Sequence, residues 1–339
     1  MTIRHQLSIL LVLPVATACG LVGQGANAGP SAPFASSQKR GVVTSPSPQK
    51  QGVVTAAEAK QILARWDSAE KEAMRQGGTD WTAAEAGLMA EIHKAEVRLD
   101  RLTGDTPKVD QERIVKSRFA IPRAGAGTPW FMAEFQRKGG NRRWDQVIFA
   151  KTQAGWRMVA VSASLGRVPT PARDEDGFAT VLAPDDGAGL VVSPRELTRT
   201  HARLLTTAGD DPRANRLILR NLFTWDADTR KGDRENLPTG WKVRPNTQPA
   251  QELYALRTTS GSALVWYGIT EEDTYTARPG APGMKFYNGS LAKYLSKGKT
   301  FREKAVYKRA SMYFAVVPKP KGKVKVLWSR NGYLSATGS

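Results

Sequence analysis

Few side chains in this sequence are candidates for chemistry. Of its three histidines, only His93 and His201 lie beyond the first ten residues. Each falls in a helical pattern with no second His or Cys three or four positions away, so a zinc site of the usual spacing is not expected. A lone imidazole without an orienting partner makes a poor general base. His93 directly follows the apolar Ile92 and is expected at the boundary between its helix and solvent. Asp67, beside Trp66, is the best-placed carboxylate for proton transfer, although the helical period sets it one step off the apolar stripe. The acidic runs Asp185-Asp186, Asp210-Asp211 and Glu271-Glu272-Asp273 lack the Asp ladder and Gly of a calcium loop and read as solvated surface. Neither a Gly-x-Ser-x-Gly elbow nor a Walker-type phosphate loop occurs. Ser47-Pro48-Gln49-Lys50 fits Ser-x-x-Lys only within a low-complexity stretch, and Asn288-Gly289-Ser290 matches a glycosylation sequon. The single cysteine is Cys19, so the rest of the chain is without disulfide, thiolate nucleophile or Cys-ligated zinc. No catalytic residue, metal or cofactor is expected.

Charge is the stronger signal. The chain carries a formal +19, and residues 281–339 hold 13 basic side chains against the single acid Glu303. Residues 171–280 hold 14 basic and 16 acidic groups. Lys319, Lys321, Lys323 and Lys325 are the sharpest part of that basic end and the candidate binding residues. The strand period places Lys323 and Lys325 on one face, opposite Val324 and Val326. Such a series can meet an anionic surface, at about 1 kcal/mol per nearby cation, or guard an edge strand, or serve solubility alone. Aromatics mingle with these cations: Trp266-Tyr267, Tyr275, Phe286-Tyr287, Tyr294, Tyr307 and Tyr313-Phe314. Stacking and charge together bind sugars or polyanions, but alternation along strands favours a core role.

The elements that carry these residues follow one order twice. Thr55-Ala56-Ala57-Glu58 is a capping box, and Ala59, Ile62, Trp66, Ala69 and Ala73 continue as one helical face up to Gly77-Gly78. A second box, Thr82-Ala83-Ala84-Glu85, is expected to open a helix with the stripe Leu88, Ile92, Ala95, Leu99 and Leu102, ended by Gly104. The period then becomes two: Val115, Ser117, Phe119 and Ile121 alternate with Lys116, Arg118 and Ala120. Further strands are expected over 130–137, 144–151 and 156–163, the last two forming a hairpin around Thr152-Gln153-Ala154-Gly155. Val53-Val54-Thr55-x-x-Glu58 then recurs as Val191-Val192-Ser193-Pro194-Arg195-Glu196, with Pro194 in the favoured first helical position. Strands over 253–256 and 263–269 and a hairpin of 310–317 with 324–329 follow. The polar segment 224–249 reads as an inserted loop. Repetition of this order argues for an internal duplication.

The N-terminus tells where the protein resides. Arg4, an apolar run from Leu7 to Val15 and small residues up to Ala18 have the layout of a secretory signal. That run is far shorter than the roughly 20 residues a spanning helix needs. With Cys19 immediately after Ala16-Thr17-Ala18, the segment resembles a lipobox. The resemblance implies removal of residues 1–18 and a diacylglyceryl group on the Cys19 sulfur, a lipid anchor that holds the chain at the extracytoplasmic face of the membrane. Two acyl chains suffice for stable attachment, at about 0.8 kcal/mol per buried CH₂. From Gly20 to Gly52 the Gly, Ala, Ser, Pro and Gln composition reads as a flexible tether. It includes a short repeat, 38–44, of the sequence at 49–55. Export makes nucleic acid an unlikely partner for so basic a chain.

Lipobox, tether and a helix opening Val-Val-Thr-x-x-Glu-Ala-x-x-x-Leu-x-x-Trp together resemble a group of uncharacterised actinobacterial surface lipoproteins. Each half also resembles the nuclear transport factor-like module, helices laid in the cone of a curved antiparallel sheet. That fold serves isomerases and non-enzymatic domains alike, so it implies architecture and not activity. The expected organisation is α+β: a signal peptide over 1–18, lipidated Cys19 and tether over 19–52, a first module over 53–168, a linker over 169–190 and a second, basic module over 191–339. The expected function is that of a lipid-anchored, non-enzymatic envelope protein meeting anionic lipids, wall polymers or an envelope protein partner. The competing expectation is a small-molecule-binding or isomerase-like enzyme that uses the cone interior, with Asp67 as its acid or base.

Overall fold

The computed structural model describes residues 51–339 apart from 107–108, 110–111, 126, 140–142, 165–167, 225 and 287–290. The signal segment, Cys19, the tether through Lys50 with its 38–44 repeat, and the Asn288 sequon lie outside the described residues. Residues Pro46–Ser339 form one compact unit, and its buried hydrophobic residues run from Val54 to Ala336.

Helix α1 (Ala56–Arg75) starts as its capping box dictates: the Glu58 N–H donates to Thr55 Oγ1 at 3.2 Å and the Thr55 N–H donates to Glu58 at 2.7 Å. Helix α2 (Gly87–Thr103) ends at Gly104 in the left-handed conformation. Strands β1 (Ile114–Ala120), β2 (Trp130–Arg137), β3 (Trp144–Thr152) and β4 (Gly155–Ser164) form an antiparallel sheet in sequence order. Helices α3 (Pro194–Thr206), α4 (Pro212–Leu217) and α5 (Asp226–Glu235) come next. Strands β5 (Trp241–Arg257), β6 (Ala263–Ala277), β7 (Lys304–Val317) and β8 (Lys325–Gly338) form the second sheet, also in sequence order, with α6 (Leu291–Leu295) before β7. The fold is α+β with two four-stranded antiparallel sheets.

Strand period explains how the layers stack. Phe131, Phe135 and Phe149 share one face of the first sheet and meet Trp66 of α1, with Trp66 ring centroids 5.7 Å from Phe135 and 5.9 Å from Phe149. The opposite face carries Glu134, Gln146 and Ser162. There Gln146 Nε2 donates to Glu134 at 3.1 Å, Ser162 Oγ donates to Gln146 Oε1 at 2.9 Å, and Trp266 Nε1 of β6 donates to Ser162 Oγ at 2.9 Å. This buried relay joins the two sheets and leaves none of its links unpaired, as burial of polar groups requires. Leu256, Leu264, Trp266, Met312 and Phe314 on the inner face of the second sheet belong to the same hydrophobic cluster as α1 and the first sheet. The outer face, with Val265, Tyr267, Ile269, Tyr313 and Ala315, packs against α3, α4 and α5. Segment 169–190 is bonded to both sheets: the Ala179 N–H donates to Ile121 O at 2.8 Å, the Leu182 N–H donates to Ala255 O at 3.0 Å, and the Arg257 N–H donates to Thr180 O at 2.8 Å.

Several expectations change. The second capping box does not form. Residues 81–84 are a turn, Glu85 is buried at 2 % exposure, and α2 begins two residues later at Gly87. Its first turn is capped from far away in sequence, where the Leu88 N–H donates to Glu252 Oε1 of β5 at 2.8 Å. Leu102 is exposed, and Met89, Ala90 and Val97 complete the buried face instead. In β1 a register shift between Ile114 and Lys116 throws Val115 outward and puts Ile114 against the core in its place, while Ser117 and Phe119 keep the expected face. Ala120 is buried on the opposite face, beside Met132. The polar stretch 224–249 is not a loop; it contains α5 and the first half of β5. All strands of the second sheet are longer than the apolar runs that signal them.

Candidate functional site

The four lysines sit where β7 turns into β8, at one end of the second sheet. Lys319, Lys321, Lys323 and Lys325 are all exposed, and among the described residues none forms an ion pair. Val324 and Val326 are fully buried on the opposite face, as the strand period requires. The edge beside them is already occupied. The Val324 N–H donates to Leu217 O at 2.8 Å, the Leu219 N–H donates to Val324 O at 2.9 Å, and Asn221 Nδ2 donates to Val326 O at 2.7 Å. Segment 217–221 therefore lies along β8 and sets Leu219, 39 % exposed, against Val324, which stands between Lys323 and Lys325; Leu222, 76 % exposed, follows the segment. Arg216, also exposed, stands on the same segment. The result is a cationic edge with protruding leucines. Sequence reading found the lysines from their spacing but missed the leucines, which lie about a hundred residues away in a stretch with no strand period.

The basic C-terminal end is not one patch. Strand β7 spans 14 residues, about 45 Å at the usual rise per residue, and Lys293, Lys297, Lys299, Arg302 and Lys304 lie at its far end from Lys319. Three more cations are spent inside the fold or on a neighbour: Lys308 pairs with Glu272 at 2.7 Å, Arg309 with Asp273 at 2.8 Å, and Arg330 with Glu96 at 2.7 Å.

The remaining candidates are structural. Asp67 pairs with Lys71 at 2.8 Å and Arg137 at 2.6 Å on α1 and β2, and aromatic rings fill the space between that helix and its sheet. His93 is not at a solvent boundary. It is 3 % exposed, its Nδ1 lies 2.6 Å from Glu85 Oε1, and the Trp81 ring leans against its own at 4.8 Å. Burial pushes Glu85 well above the usual carboxylate range and lowers His93 to about 3. A pair so enclosed has no route to a substrate. Among the acidic runs, Glu271 and Asp273 are buried, and Glu272 points to the other face of β6. Among the described residues no group of three or more His, Cys, Asp or Glu side chains is placed to hold a metal. Trp266, Tyr267, Tyr313 and Phe314 are fully buried, and Tyr275 and Tyr307 nearly so, whereas Tyr294 is exposed. Tyr287 lies outside the described residues.

His201 offers a direct check on this packing. It is fully buried, shares a 2.7 Å hydrogen bond with Tyr267 Oη and lies 4.5 Å from the Tyr313 ring. Burial, aided by Arg230 and Arg220, lowers its pKa to about 3. Between that value and the ordinary pKa near 6.5, the unfolded chain binds a proton that the folded chain does not. Stability from this residue is therefore full above pH 6.5 and falls as pH drops towards 3, at up to about 1.4 kcal/mol per pH unit. Urea unfolding at a series of pH values is expected to show a shallower acid slope, by about one proton, in His201→Gln than in wild type. Equal slopes would mean that His201 is protonated in the folded state.

The described residues thus present a cationic edge with exposed leucines on an α+β body. Residues 50–338 match a family model described as a domain of unknown function (DUF8094), and the chain belongs to that family. No curated protein and no solved structure matches it.

Proposed function

We propose that the protein is a lipid-anchored, non-enzymatic component of the cell envelope, held at the extracytoplasmic face through Cys19, that docks on an anionic lipid surface by its β7–β8 edge. The observation that carries this reading is the pairing of the Leu219 segment with β8 at Val324, between Lys323 and Lys325 in sequence, with the exposed Leu222 following it. Each lysine near anionic headgroups contributes about 1 kcal/mol, and a leucine passing from water into the interface contributes roughly 1.5–3 kcal/mol when fully buried. The anchor supplies residence at the membrane, and the edge then sets how the body lies on it. Support for the anchor is the lipobox resemblance around Cys19.

The halves are further read as a duplication of one nuclear transport factor-like module. Thr55 and Ser193, 138 positions apart, both accept from the backbone N–H three residues on, and α1 and α3 each cover the outer face of a four-stranded meander. An experimental structure in which β1–β4 with α1 failed to superpose on β5–β8 with α3 would end that reading.

The docking test is cosedimentation of residues 46–339, purified without the anchor, with anionic and neutral liposomes across a salt series. Binding to anionic vesicles that is lost at high salt is expected. Replacement of the four lysines by Gln should remove it, and Leu219→Ser with Leu222→Ser should weaken it while leaving the salt dependence in place. Association unaffected by both sets of changes would reject the edge, and no association at low salt would reduce the charge to a solubility device.

A further inference from the structure

A groove runs along α1 where that helix passes the β3–β4 hairpin of the first sheet. One compartment, about 420 Å³, lies between α1, residues 83–84 and the β3–β4 hairpin; it is lined by Trp66 and Trp156 with Arg65, Lys151 and Arg157. A second compartment, about 630 Å³, continues from it along Ala64, Ala69, Ala73 and Ala83 towards Glu72 and Asp80. The two share Arg65, Ala69 and Ala83. Both are open to solvent along one side, where Ala64 and Ala83 are exposed.

The compartments differ in charge, and their cations are in place before any ligand arrives. Arg157 Nε donates to Thr82 O at 2.5 Å and its Nη1 donates to Trp156 O at 2.9 Å, which fixes the guanidinium at the groove wall. Lys151 Nζ lies 5.7 Å from the centre of the Trp156 ring. Arg65 has no ion-pair partner among the described residues. At the far end, Glu72 and Asp80 repel an anion. Between the ends, the small side chains of alanine leave an apolar channel.

We infer that this groove binds an anionic single-chain amphiphile of the fatty carboxylate class. The head sits among Arg65, Lys151 and Arg157, and the tail lies along the alanines. The acidic far end fixes that direction. This site is independent of the lysine edge and goes beyond the docking function.

The test uses residues 46–339 and equilibrium dialysis with labelled myristate below its micelle concentration. Saturable binding at one site is expected. Arg65→Gln with Lys151→Gln should weaken it about tenfold or more, the effect of removing two charges near an anion. Ala83→Leu changes an exposed position, so the fold is expected to persist by circular dichroism while the channel is blocked and binding falls. The four-lysine Gln variant should bind myristate as wild type does, which separates this site from the docking edge. Tetradecanol bound as tightly as myristate, acetate bound as tightly as myristate, or binding unchanged by Ala83→Leu would each overturn the proposal.

Discussion

Gly332→Val is expected to remove most of the protein's stability, and Gly332→Ala a smaller part of it. Strand β8 passes beneath α2 so closely that a Cβ at position 332 would stand 2.7 Å from Ile92 Cα and 3.2 Å from Ile92 Cβ. The first of these is helix backbone and has no rotamer to escape by. Gly332 has an ordinary backbone conformation, so glycine is required for room and not for dihedral freedom. Overpacking a well-filled core costs roughly 1–3 kcal/mol for added methylenes and occasionally more. Valine against a backbone atom belongs at or above the top of that range. With net stabilities of about 5–15 kcal/mol for native proteins, such a loss is a large fraction of the whole.

Urea midpoints followed by circular dichroism and by tryptophan fluorescence would measure it. Because Ile92 and the second sheet's Met312 and Phe314 share one cluster with Trp66 and the first sheet, both probes should shift together. A Gly332→Val protein with the wild-type midpoint would show that α2 is not seated on β8. Two separated transitions would show that the halves fold independently. The Glu252 cap on Leu88 points the same way: a residue of β5 completes the first turn of a helix that sequence order assigns to the first half.

What could be read from the sequence was whatever the chain decides locally. The Thr55–Glu58 box, the Ser193-Pro194 start and the β3–β4 hairpin depend on neighbouring residues and stand where the pattern puts them. Glu85 failed because a capping box is indistinguishable in sequence from a carboxylate that tertiary packing turns inward onto His93. The apolar run signals strand β6 only as far as Ile269, because its continuation, Thr270 to Asp273, is polar, with Glu271 and Asp273 kept buried by partners on β7 and α5. The lysine run was legible, since its spacing is local. Its leucine companions were not, since only the pairing of 217–219 with Val324 brings them there. The groove beside Trp66 was equally hidden, being assembled from α1, a turn and a distant hairpin.

Glu271→Leu is the second large loss expected. Glu271 and Asp273 lie on the outer face of β6, cross-strand from Arg309 and Tyr307 of β7. Glu271 receives Arg230 of α5 as well as Arg309, the latter at 3.3 Å. The Arg230 and Glu271 side chains are 4 % and 1 % exposed. Removing the carboxylate strands the Arg230 guanidinium in a buried setting. Arg309 keeps Asp273 at 2.8 Å, whereas Glu271 is the only acid paired with Arg230 among the described residues. Breaking one side of such a pair costs about 3–5 kcal/mol, because an uncompensated charge remains. Replacing both partners by apolar groups of similar volume is often neutral. Glu271→Leu with Arg230→Met is therefore expected to recover much of the loss, and Arg230→Met alone to be destabilising through the exposed need of Glu271. Urea unfolding of the four proteins gives the coupling directly as a double-mutant cycle. Additive losses would show that α5 is held on the second sheet by its apolar contacts and not by this pair. A positive coupling would make the network the device that pins a highly charged helix, one with no apolar stripe of its own, in a single position over β6.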